Sequence, residues 1–299
     1  MSFRGRSEAL ASIAMLRHKV LTAHRCRGGH RGRGEARRYS RPRNKVSLMH
    51  AESELLPLLE TLYNSKNPTR RWLHCTRRDW ICGKLRACAR QRPGSALEVG
   101  FGAGVYLPIL AELYGEVVAT ELEDVHLNHA RSLAARYPNL RLATDDITNS
   151  HLREQSFTMV LCSEVIEHIP NSATALARIH RLLKPGGILI LSTPQRYSLL
   201  ELSCKVAFIP GVIDLVRKIY GEAIFETGHI NLMTEREATG QIERAGFMIR
   251  ERFKSGMYIP LAAEFGGQTG LRLERWLEQK VRGRALDSIL WTQYYVAEA

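Results

Sequence analysis

Short apolar strand patterns alternate with amphipathic helical patterns over residues 95–196, and this alternation constrains the fold more than any other feature of the chain. The strand patterns cover Ser95–Val99, Glu116–Thr120, Leu140–Thr144, Phe157–Cys162 and Ile188–Ser192. Parallel strands need a long crossover connection, which a helix between consecutive strands supplies. The alternation therefore predicts an α/β fold with a mostly parallel, doubly wound sheet and helices on both faces.

Two further strand patterns complete the expected sheet. Phe247–Arg252 is the sixth, and Ser288–Val296 is the seventh, after an Arg-rich helical pattern over Leu271–Arg284. We therefore expect one domain over residues 95–299 with a seven-stranded Rossmann-like sheet. Helical patterns over residues 49–94 precede it.

The positive charge of the chain is concentrated at one end. Of a formal net charge of +13, residues 1–50 carry 13 basic and two acidic side chains, so that +11 lies in this segment and +2 in the other 249 residues. A protein that coats nucleic acid with its whole surface is thereby excluded. The apolar content of 44% rules out wholesale disorder, and no apolar run is long enough to span a membrane.

The basic extension over residues 1–48 allows three interpretations. Its scarcity of acidic residues is typical of a mitochondrial targeting segment. A disordered basic arm would instead bind nucleic acid or anionic lipid. The third interpretation is a dispensable extension or a misassigned start, because Met49 directly precedes the first clear helical pattern. Six cysteines without a CxxC pair favour reduced thiols, so we expect a cytoplasmic protein, or a mitochondrial one if the extension is a targeting segment.

A glycine loop follows the first strand pattern. Gly100, Gly102 and Gly104 stand at alternate positions shortly after Glu98. Glycine lets a strand turn sharply into a helix and lets backbone amides approach a ligand. The loop alone is weak evidence, since glycine turns between strand and helix are common without a ligand.

Acidic side chains close the following strands at the same edge of the expected sheet. Glu121 ends the second strand pattern, 21 residues after Gly100, where an acid can accept both hydroxyls of a ribose. Asp145 and Asp146 follow the third pattern, where a carboxylate can meet the amino group of an adenine, and Cys162–Glu164 closes the fourth. Ligands of doubly wound sheets bind outside the carboxyl ends of the strands.

These patterns together resemble those of the class I S-adenosylmethionine (SAM) methyltransferases, including methyltransferase type 11 and the ubiquinone-biosynthesis O-methyltransferases. The matching motifs, in order, are Glu98-x-Gly100-x-Gly102-x-Gly104, Glu121, Asp145, Phe157–Ile169 and Leu182–Pro194. The resemblance covers roughly residues 95–247. It separates the chain from nucleotide dehydrogenases, whose GxGxxG fingerprint places the third glycine one position later.

The resemblance implies a role for each of the edge residues. The glycine loop would pass under the methionine part of SAM, and Glu98 would hold the loop or reach the amino group of the cofactor. Glu121 would bind the ribose. Asp145 would meet the adenine, and the backbone amide of Asp146 would add a contact.

Further cofactor contacts are expected around the methionine end. Cys162 and Ser163 would line it, mostly through their backbone. Arg78, in the helix before the first strand, would pair with the cofactor carboxylate, although several other arginines lie nearby in the sequence.

Candidates for acid–base chemistry follow the fourth strand pattern. Spacings of three and four put Glu164, Glu167 and His168 on one side of a helical start. This Glu-x-x-Glu-His stretch is similar to one in the ubiquinone-biosynthesis O-methyltransferases, where it can hold a divalent cation beside a catechol-like acceptor. Three roles stay open for it: cation binding, direct acid–base chemistry by His168, and packing with hydrogen bonding.

An insertion over residues 197–229 follows the fifth strand pattern. Its Tyr197–Tyr220 part is rich in Leu, Val and Ile and is interrupted at Pro210-Gly211, which predicts two short amphipathic helices. These form either a cap that packs on the domain or an apolar cover that admits a lipophilic acceptor and touches a bilayer surface. His229 ends the insertion and is a candidate base, the alternative being a hydrogen bond within its loop.

The resemblance implies a SAM-dependent enzyme, and we expect methyl transfer to a small, lipophilic acceptor at oxygen. An RNA methyltransferase that uses the basic arm is the first alternative. No Asn-Pro-Pro-Tyr-like element follows the fourth strand to support it, so we do not expect a nucleic-acid partner. A non-catalytic SAM-binding scaffold is the second alternative, and the intact cofactor acids argue against it.

Overall fold

The computed structural model describes residues 62–209 and 228–299. Its strands are β1 (Ser95–Val99), β2 (Glu116–Thr120), β3 (Leu140–Ala143), β4 (Phe157–Ser163), β5 (Leu183–Pro194), β6 (Met248–Ser255) and β7 (Thr292–Glu298). Its main helices are α1 (Pro68–Gln91), α2 (Leu107–Leu113), α3 (Asp124–Ala134), α4 (Ser172–Leu182), α5 (Leu199–Ala207), α6 (Glu235–Arg244), α7 (Pro260–Phe265) and α8 (Gly267–Val281).

The seven strands form one sheet in the order β3-β2-β1-β4-β5-β7-β6. Strands β1 to β5 pair in parallel, and β7 runs antiparallel to both β5 and β6. The expected mostly parallel, doubly wound sheet is confirmed. The chain leaves β1 toward β2 and later returns on the other side of β1 as β4, so a topological switch point lies between β1 and β4.

Alternate side chains of each strand enter two separate hydrophobic cores. Leu97 and Val99 of β1 point into the core covered by α4 and α6, where Ile179 and Ile242 are fully buried. Ala96 of β1 points into the opposite core, which α1, α2 and α3 cover. The two faces are thus closed by helices, as a parallel sheet requires.

Helix α1 belongs to this second core. Its buried positions recur at every fourth residue and are Thr69, Leu73, Arg77, Ile81 and Leu85. Ile81 and Leu85 are fully buried and pack with the strands, so this helix contributes to the same core as the sheet. Asn67 caps its N-terminus by accepting the backbone N–H of Arg70.

Strand β5 is longer than the sequence predicts. Lys184-Pro185-Gly186-Gly187 does follow the end of α4, but the chain continues in the sheet instead of looping out. The N–H of Gly186 donates to the carbonyl of Ala299, and the N–H of Ala299 donates to Gly187. These backbone bonds to residue 299 keep residues 185–187 in the strand, although Pro and Gly have a low propensity for strands.

Several expectations lie outside the described residues. These are the basic extension over residues 1–48, the helical pattern before residue 62, and residues 210–227 of the insertion. Among the described residues, no helix combines the length and the apolar character that crossing a membrane requires.

Candidate functional site

The glycine loop leaves β1 in a left-handed conformation. The φ angles of Gly100, Gly102 and Gly104 are +64°, +52° and +73°, a region that costs other residues conformational energy. A Cβ at Gly100 would come within 2.8 Å of the Val165 side chain, whereas nothing lies within 4 Å of a Cβ at Gly102. The space over Gly102 is open, as a loop that cradles a ligand requires.

Glu121 holds this loop from the end of β2. Its Oε2 accepts the N–H of Gly102 at 3.0 Å, and its Oε1 accepts the N–H groups of Leu122 at 2.7 Å and Glu123 at 3.3 Å. A carboxylate offers about four acceptor sites, so these three bonds leave capacity for a hydroxyl ligand. The structure thus gives Glu121 a loop-positioning contact that the sequence did not indicate.

Asp145 and Asp146 follow the carboxyl end of β3 and make different contacts. Asp145 Oδ1 accepts the N–H of His151 at 2.9 Å, while its Oδ2 is buried without a hydrogen-bond partner among the described residues. Asp146 caps the short 3₁₀ helix Ile147–Asn149 by accepting the N–H and the hydroxyl of Thr148. Its Oδ1 is therefore engaged in the cap.

Two more polar groups near the loop are buried and unsatisfied. Glu98 Oε2 and the hydroxyl of Tyr106 have no hydrogen-bond partner in the described part of the chain. Burial, and after it the carboxylate of Glu121, raises the pKa of Glu98 well above its ordinary value. Buried polar atoms normally find a partner, so the orphaned atoms of Glu98, Tyr106 and Asp145 fit a polar ligand at this edge.

Cys162 and Ser163 end β4 beside the loop. Cys162 pairs with Val99 of β1 and is fully buried in the core, and burial raises the pKa of its thiol. The Oγ of Ser163 lies 2.9 Å from the Oγ of Ser192 on β5. With their side chains engaged inside the protein, these residues are left with backbone groups to offer a ligand.

Arg77, one residue before the expected Arg78, reaches the ends of the strands. Its Nη1 donates to Glu164 Oε2 at 2.6 Å, and its guanidinium lies 5.1 Å from the ring centroid of Trp291. Burial disfavours a cation, but Glu164 together with the neighbouring tyrosines outweighs it, and the pKa of Arg77 is raised. Arg78 is directed elsewhere, where it donates to Asp79 and stacks on Tyr63.

His74 lies on the other side of Arg77. Its Nδ1 is 3.1 Å from Nη2 of Arg77, which can only donate, so Nδ1 is the acceptor. Burial, followed by the charges of Arg77 and Arg70, lowers the pKa of His74 to about 3 and keeps the ring neutral.

The expectation that Glu164, Glu167 and His168 share one side of a helical start is wrong. Glu164 has a φ of +56°, which turns the chain before the 3₁₀ helix Ile166–His168 begins. The carboxylate of Glu164 points to Arg77 and accepts the hydroxyl of Ser192.

Glu167 is fully buried and accepts the hydroxyl of Thr193 at 3.1 Å. Its Oε1 has no hydrogen-bond partner among the described residues and lies 4.0 Å from Nε2 of His168. Burial, followed by the charge of Glu164, raises the pKa of Glu167 well above its ordinary value.

His168 and His229 lie together at this edge. Backbone bonds hold them there, because the N–H groups of Ile230 and Asn231 donate to the carbonyl of Glu167. The two imidazole centroids are 5.2 Å apart. Nδ1 of His168 lies 3.2 Å from the carbonyl of Gly228, so this nitrogen carries the hydrogen.

His229 has a carboxylate partner that the sequence did not reveal. Its Nδ1 lies 3.2 Å from Oε2 of Glu201, a buried residue of α5. The indole N–H of Trp291 donates to Oε1 of the same carboxylate at 3.2 Å. Because a carboxylate accepts, Nδ1 of His229 is the donor and Nε2 carries the lone pair.

One group of side chains has the composition of a cation site. Donor atoms of Glu167, His168 and His229 all lie within 4.8 Å of one another. A carboxylate with two imidazoles suits a borderline divalent ion such as Zn²⁺ or Fe²⁺. His229 thus takes the place that the sequence gave to Glu164, and the divalent cation itself stays a prediction.

The segment from β1 to β5 has a counterpart among known families. Residues 97–191, which include the glycine loop, Glu121 and Asp145, match the family described as "Methyltransferase domain". The chain thus contains a methyltransferase domain, and its relatives include SAM-dependent methyltransferases. Its cofactor is therefore SAM, and the resemblance drawn from the glycine loop and its acids is confirmed.

Curated relatives of this methyltransferase are distant. A probable SAM-dependent methyltransferase from Mycolicibacterium smegmatis is 25% identical over 205 residues, which cover 68% of each chain. Ubiquinone biosynthesis O-methyltransferases from Ruegeria pomeroyi and Pseudomonas paraeruginosa are 29% and 31% identical. Those matches cover 56% and 34% of this chain, and 70% and 45% of the respective relatives.

Solved structures share the fold of this methyltransferase. A SAM-dependent methyltransferase from Mesorhizobium loti superposes with a TM-score of 0.51 at 16% identity, covering 74% of this chain and 98% of that one. An N-methyltransferase from Bradyrhizobium japonicum, solved with S-adenosylhomocysteine, gives 0.50 at 14% identity and covers 83% and 96%. The similarity lies in the architecture, since acceptors differ among proteins of this fold.

Proposed function

We propose that this methyltransferase transfers the methyl group of SAM to an oxygen atom of a small, lipophilic acceptor. The observation that carries the proposal is the pair His168 and His229 at the carboxyl edge of the sheet, with His229 oriented by Glu201. The partial likeness to ubiquinone biosynthesis O-methyltransferases favours oxygen as the acceptor atom.

The lipophilic character of the acceptor follows from the described part of the insertion. Large apolar side chains on and beside α5 are exposed, namely Tyr197, Leu202, Val206, Ile209 and Ile230. Ile230 follows His229 in the chain, and the other four lie on or beside α5, whose Glu201 contacts His229, so an acceptor that approaches this histidine meets apolar surface. Such a surface favours an aromatic or aliphatic acceptor over a sugar or a nucleotide.

The same proposal assigns the cofactor to the glycine loop. Glu121 binds the ribose hydroxyls, Asp145 the adenine amino group, and Asp146 adds its backbone N–H. The open space over Gly102 receives the methionine part, which Glu98 approaches from below. Asp145 Oδ2 and Glu98 Oε2 have no hydrogen-bond partner among the described residues, and Glu121 keeps acceptor capacity beyond its three bonds.

The methionine end completes the cofactor site. Cys162 and Ser163 line it through backbone atoms, because their side chains are engaged in the core and with Ser192. Arg77 suits the cofactor carboxylate better than Arg78, because Arg77 already lies at the strand ends. Glu164 acts there as the counter-ion that holds the guanidinium in place.

SAM supplies an electrophilic methyl group, so the residues of this chain need only position the acceptor and remove its proton. Nε2 of His229 carries a lone pair and accepts the hydroxyl proton as the oxygen is methylated. Glu201 fixes the ring and stabilises its protonated form. His168, whose ring lies beside that of His229, fixes the orientation of the acceptor hydroxyl.

Methyl transfer to defined acceptors tests this proposal. Isotope-labelled SAM is incubated with the protein and with a catechol, the matching aromatic amine, or RNA. We expect label on the catechol and a loss of about 10²-fold or more in kcat for His229→Ala, with SAM affinity unchanged. His129→Ala, at an exposed histidine of α3, serves as the matched control.

Three outcomes decide against parts of the proposal. Transfer to the amine or to RNA alone would overturn the acceptor class. Full activity of His229→Ala would overturn the role of the histidine. Activity that disappears on chelation and returns with one divalent ion would assign Glu167, His168 and His229 to a cation instead of to proton transfer.

A further inference from the structure

Helices α7 and α8 expose an unusual number of large apolar side chains. We call this surface the outer face and define it by five residues with their exposed fractions: Leu261 (73%), Phe265 (61%), Leu273 (45%), Trp276 (54%) and Leu286 (64%). Gly266 and Gly270 bring the two helices together, since a Cβ at Gly270 would lie 2.1 Å from the carbonyl oxygen of Ala262. Scattered exposed apolar residues are normal, but five of them within residues 261–286, four on two helices that pack together, mark an interaction surface.

The acidic side chains of this segment all point into the protein. Glu264 accepts hydrogen bonds from Asn67, Arg70 and Tyr258. Glu274 accepts the hydroxyl of Thr69 and the N–H of Ile259. Glu278 accepts the N–H groups of Gly256 and Met257 and pairs with Arg282.

Most basic side chains of the segment point toward solvent. Four of them are exposed, namely Arg272, Arg275, Lys280 and Arg284. The ammonium of Lys280 lies 5.9 Å from the ring centroid of Trp276, which places charge against the apolar group. A helix that looks mixed in sequence, with acids and bases interleaved, is therefore cationic on its outward side.

We propose that the outer face docks on the surface of an anionic lipid bilayer. Apolar side chains flanked by Arg and Lys are the pattern of helices that lie in a bilayer interface, where Trp and Leu enter the acyl boundary and cations meet phosphate groups. Trp is enriched at that boundary.

Other occupants fit the outer face less well. A second copy of the chain would bring the same cations against each other across a two-fold interface. A protein partner would require charge-poor contacts at the centre, where Lys is usually depleted. On this face Lys280 stacks on Trp276, one of the central apolar residues.

The outer face is connected to the acceptor side of the enzyme. Ala263 of α7 packs with Leu73, Tyr258 and Trp291 in a small core that also includes Leu200. Trp291 donates to Glu201, the residue that orients His229. Helix α7 therefore packs on a small core whose Trp291 contacts the residue that orients His229, and the docking itself does not depend on which acceptor is methylated.

Vesicle binding of the full chain tests the proposal. Binding is measured by sedimentation with vesicles of phosphatidylcholine alone and with about one third phosphatidylglycerol. We expect binding to the anionic vesicles and a loss of about tenfold or more for Arg272→Glu/Arg275→Glu. Arg131→Glu/Arg136→Glu, which makes the same charge change at exposed arginines near β3, is the matched control and keeps its affinity.

A second readout distinguishes vesicle binding through the outer face from vesicle binding through the basic residues at positions 1–50. Brominated lipid quenches the fluorescence of tryptophan that enters the acyl region, and Trp276→Phe should remove that quenched component. Unchanged quenching in Trp276→Phe, or equal losses in the two double variants, would overturn the proposal. A concentration-dependent dimer that Trp276→Ala abolishes, or exclusive capture of acidic polypeptides such as poly-glutamate in place of vesicles, would do the same.

Discussion

At the residue scale, Glu98 is a buried carboxyl in the proposed cofactor site. Its carboxyl is buried beneath the glycine loop, and its pKa is raised by burial first and by Glu121 second. The protonated form therefore stabilises the folded protein fully below the unfolded pKa of about 4.3. That contribution is lost as the pH rises toward the raised pKa of the folded state.

Glu98→Gln should consequently stabilise the cofactor-free protein, and more so at about pH 8 than at about pH 5. The amide stays neutral at both pH values, so the variant avoids the cost of a buried carboxylate. Thermal unfolding at the two pH values measures the difference, with Glu112→Gln at an exposed position of α2 as the control. A destabilised variant, or a difference that does not grow with pH, would refute this interpretation.

At the residue scale, the sequence predicts positions best where the backbone dictates them. The glycines and Glu121 are fixed by the turn between strand and helix and by the strand end. Arg77 was missed, although helical spacing contains the signal: the buried positions of α1 are four residues apart, and Arg77 falls between Leu73 and Ile81 on that stripe. Glu201 gave no comparable signal, because its partner His229 is 28 residues away in the chain.

At the element scale, α8 is attached to the sheet by a carboxylate. Glu278 accepts the N–H groups of Gly256 and Met257, which follow the end of β6. Glu278→Ala leaves these two buried donors without their acceptor, and we expect a loss of about 2–4 kcal/mol in the free energy of unfolding.

Chemical denaturation compares that variant with Gln279→Ala, which removes an exposed side chain of the same helix. The control should stay within about 0.5 kcal/mol of the parent chain. A loss of the same size in both variants would show that the helix, and not the carboxylate contact, determines the stability.

Elements were predicted best where hydrophobic periodicity is strong. The strands of the parallel part and the helices between them lie where the sequence places them, with shifts of a few residues at their ends. The exceptions arise from contacts distant in the chain: β5 is extended by pairing with residue 299, and α8 starts at Gly267 because glycines pack it against α7. Single-sequence patterns carry no information on such contacts.

At the scale of the whole molecule, most of the net positive charge lies in a different part of the chain from the candidate site residues. The segment over residues 1–50 carries +11, whereas all the site residues lie between positions 74 and 229 of the nearly neutral remainder. Deletion of residues 1–48 should leave SAM affinity within about twofold, because no residue proposed to contact SAM is removed. Calorimetric titration of the shortened and the full chain measures this, and loss of SAM binding on deletion would contradict it.

The central claim is that the glycine loop and Glu121 form the SAM site, and calorimetric titration with SAM tests it most directly. We predict one binding site per chain and a loss of about 1.5–3 kcal/mol, or roughly tenfold to a hundredfold in affinity, for Glu121→Ala. Glu116→Ala, at an exposed acid that begins the same strand, should bind like the parent chain. Absence of SAM binding by the folded protein, or equal affinity of Glu121→Ala and the parent, would contradict the account.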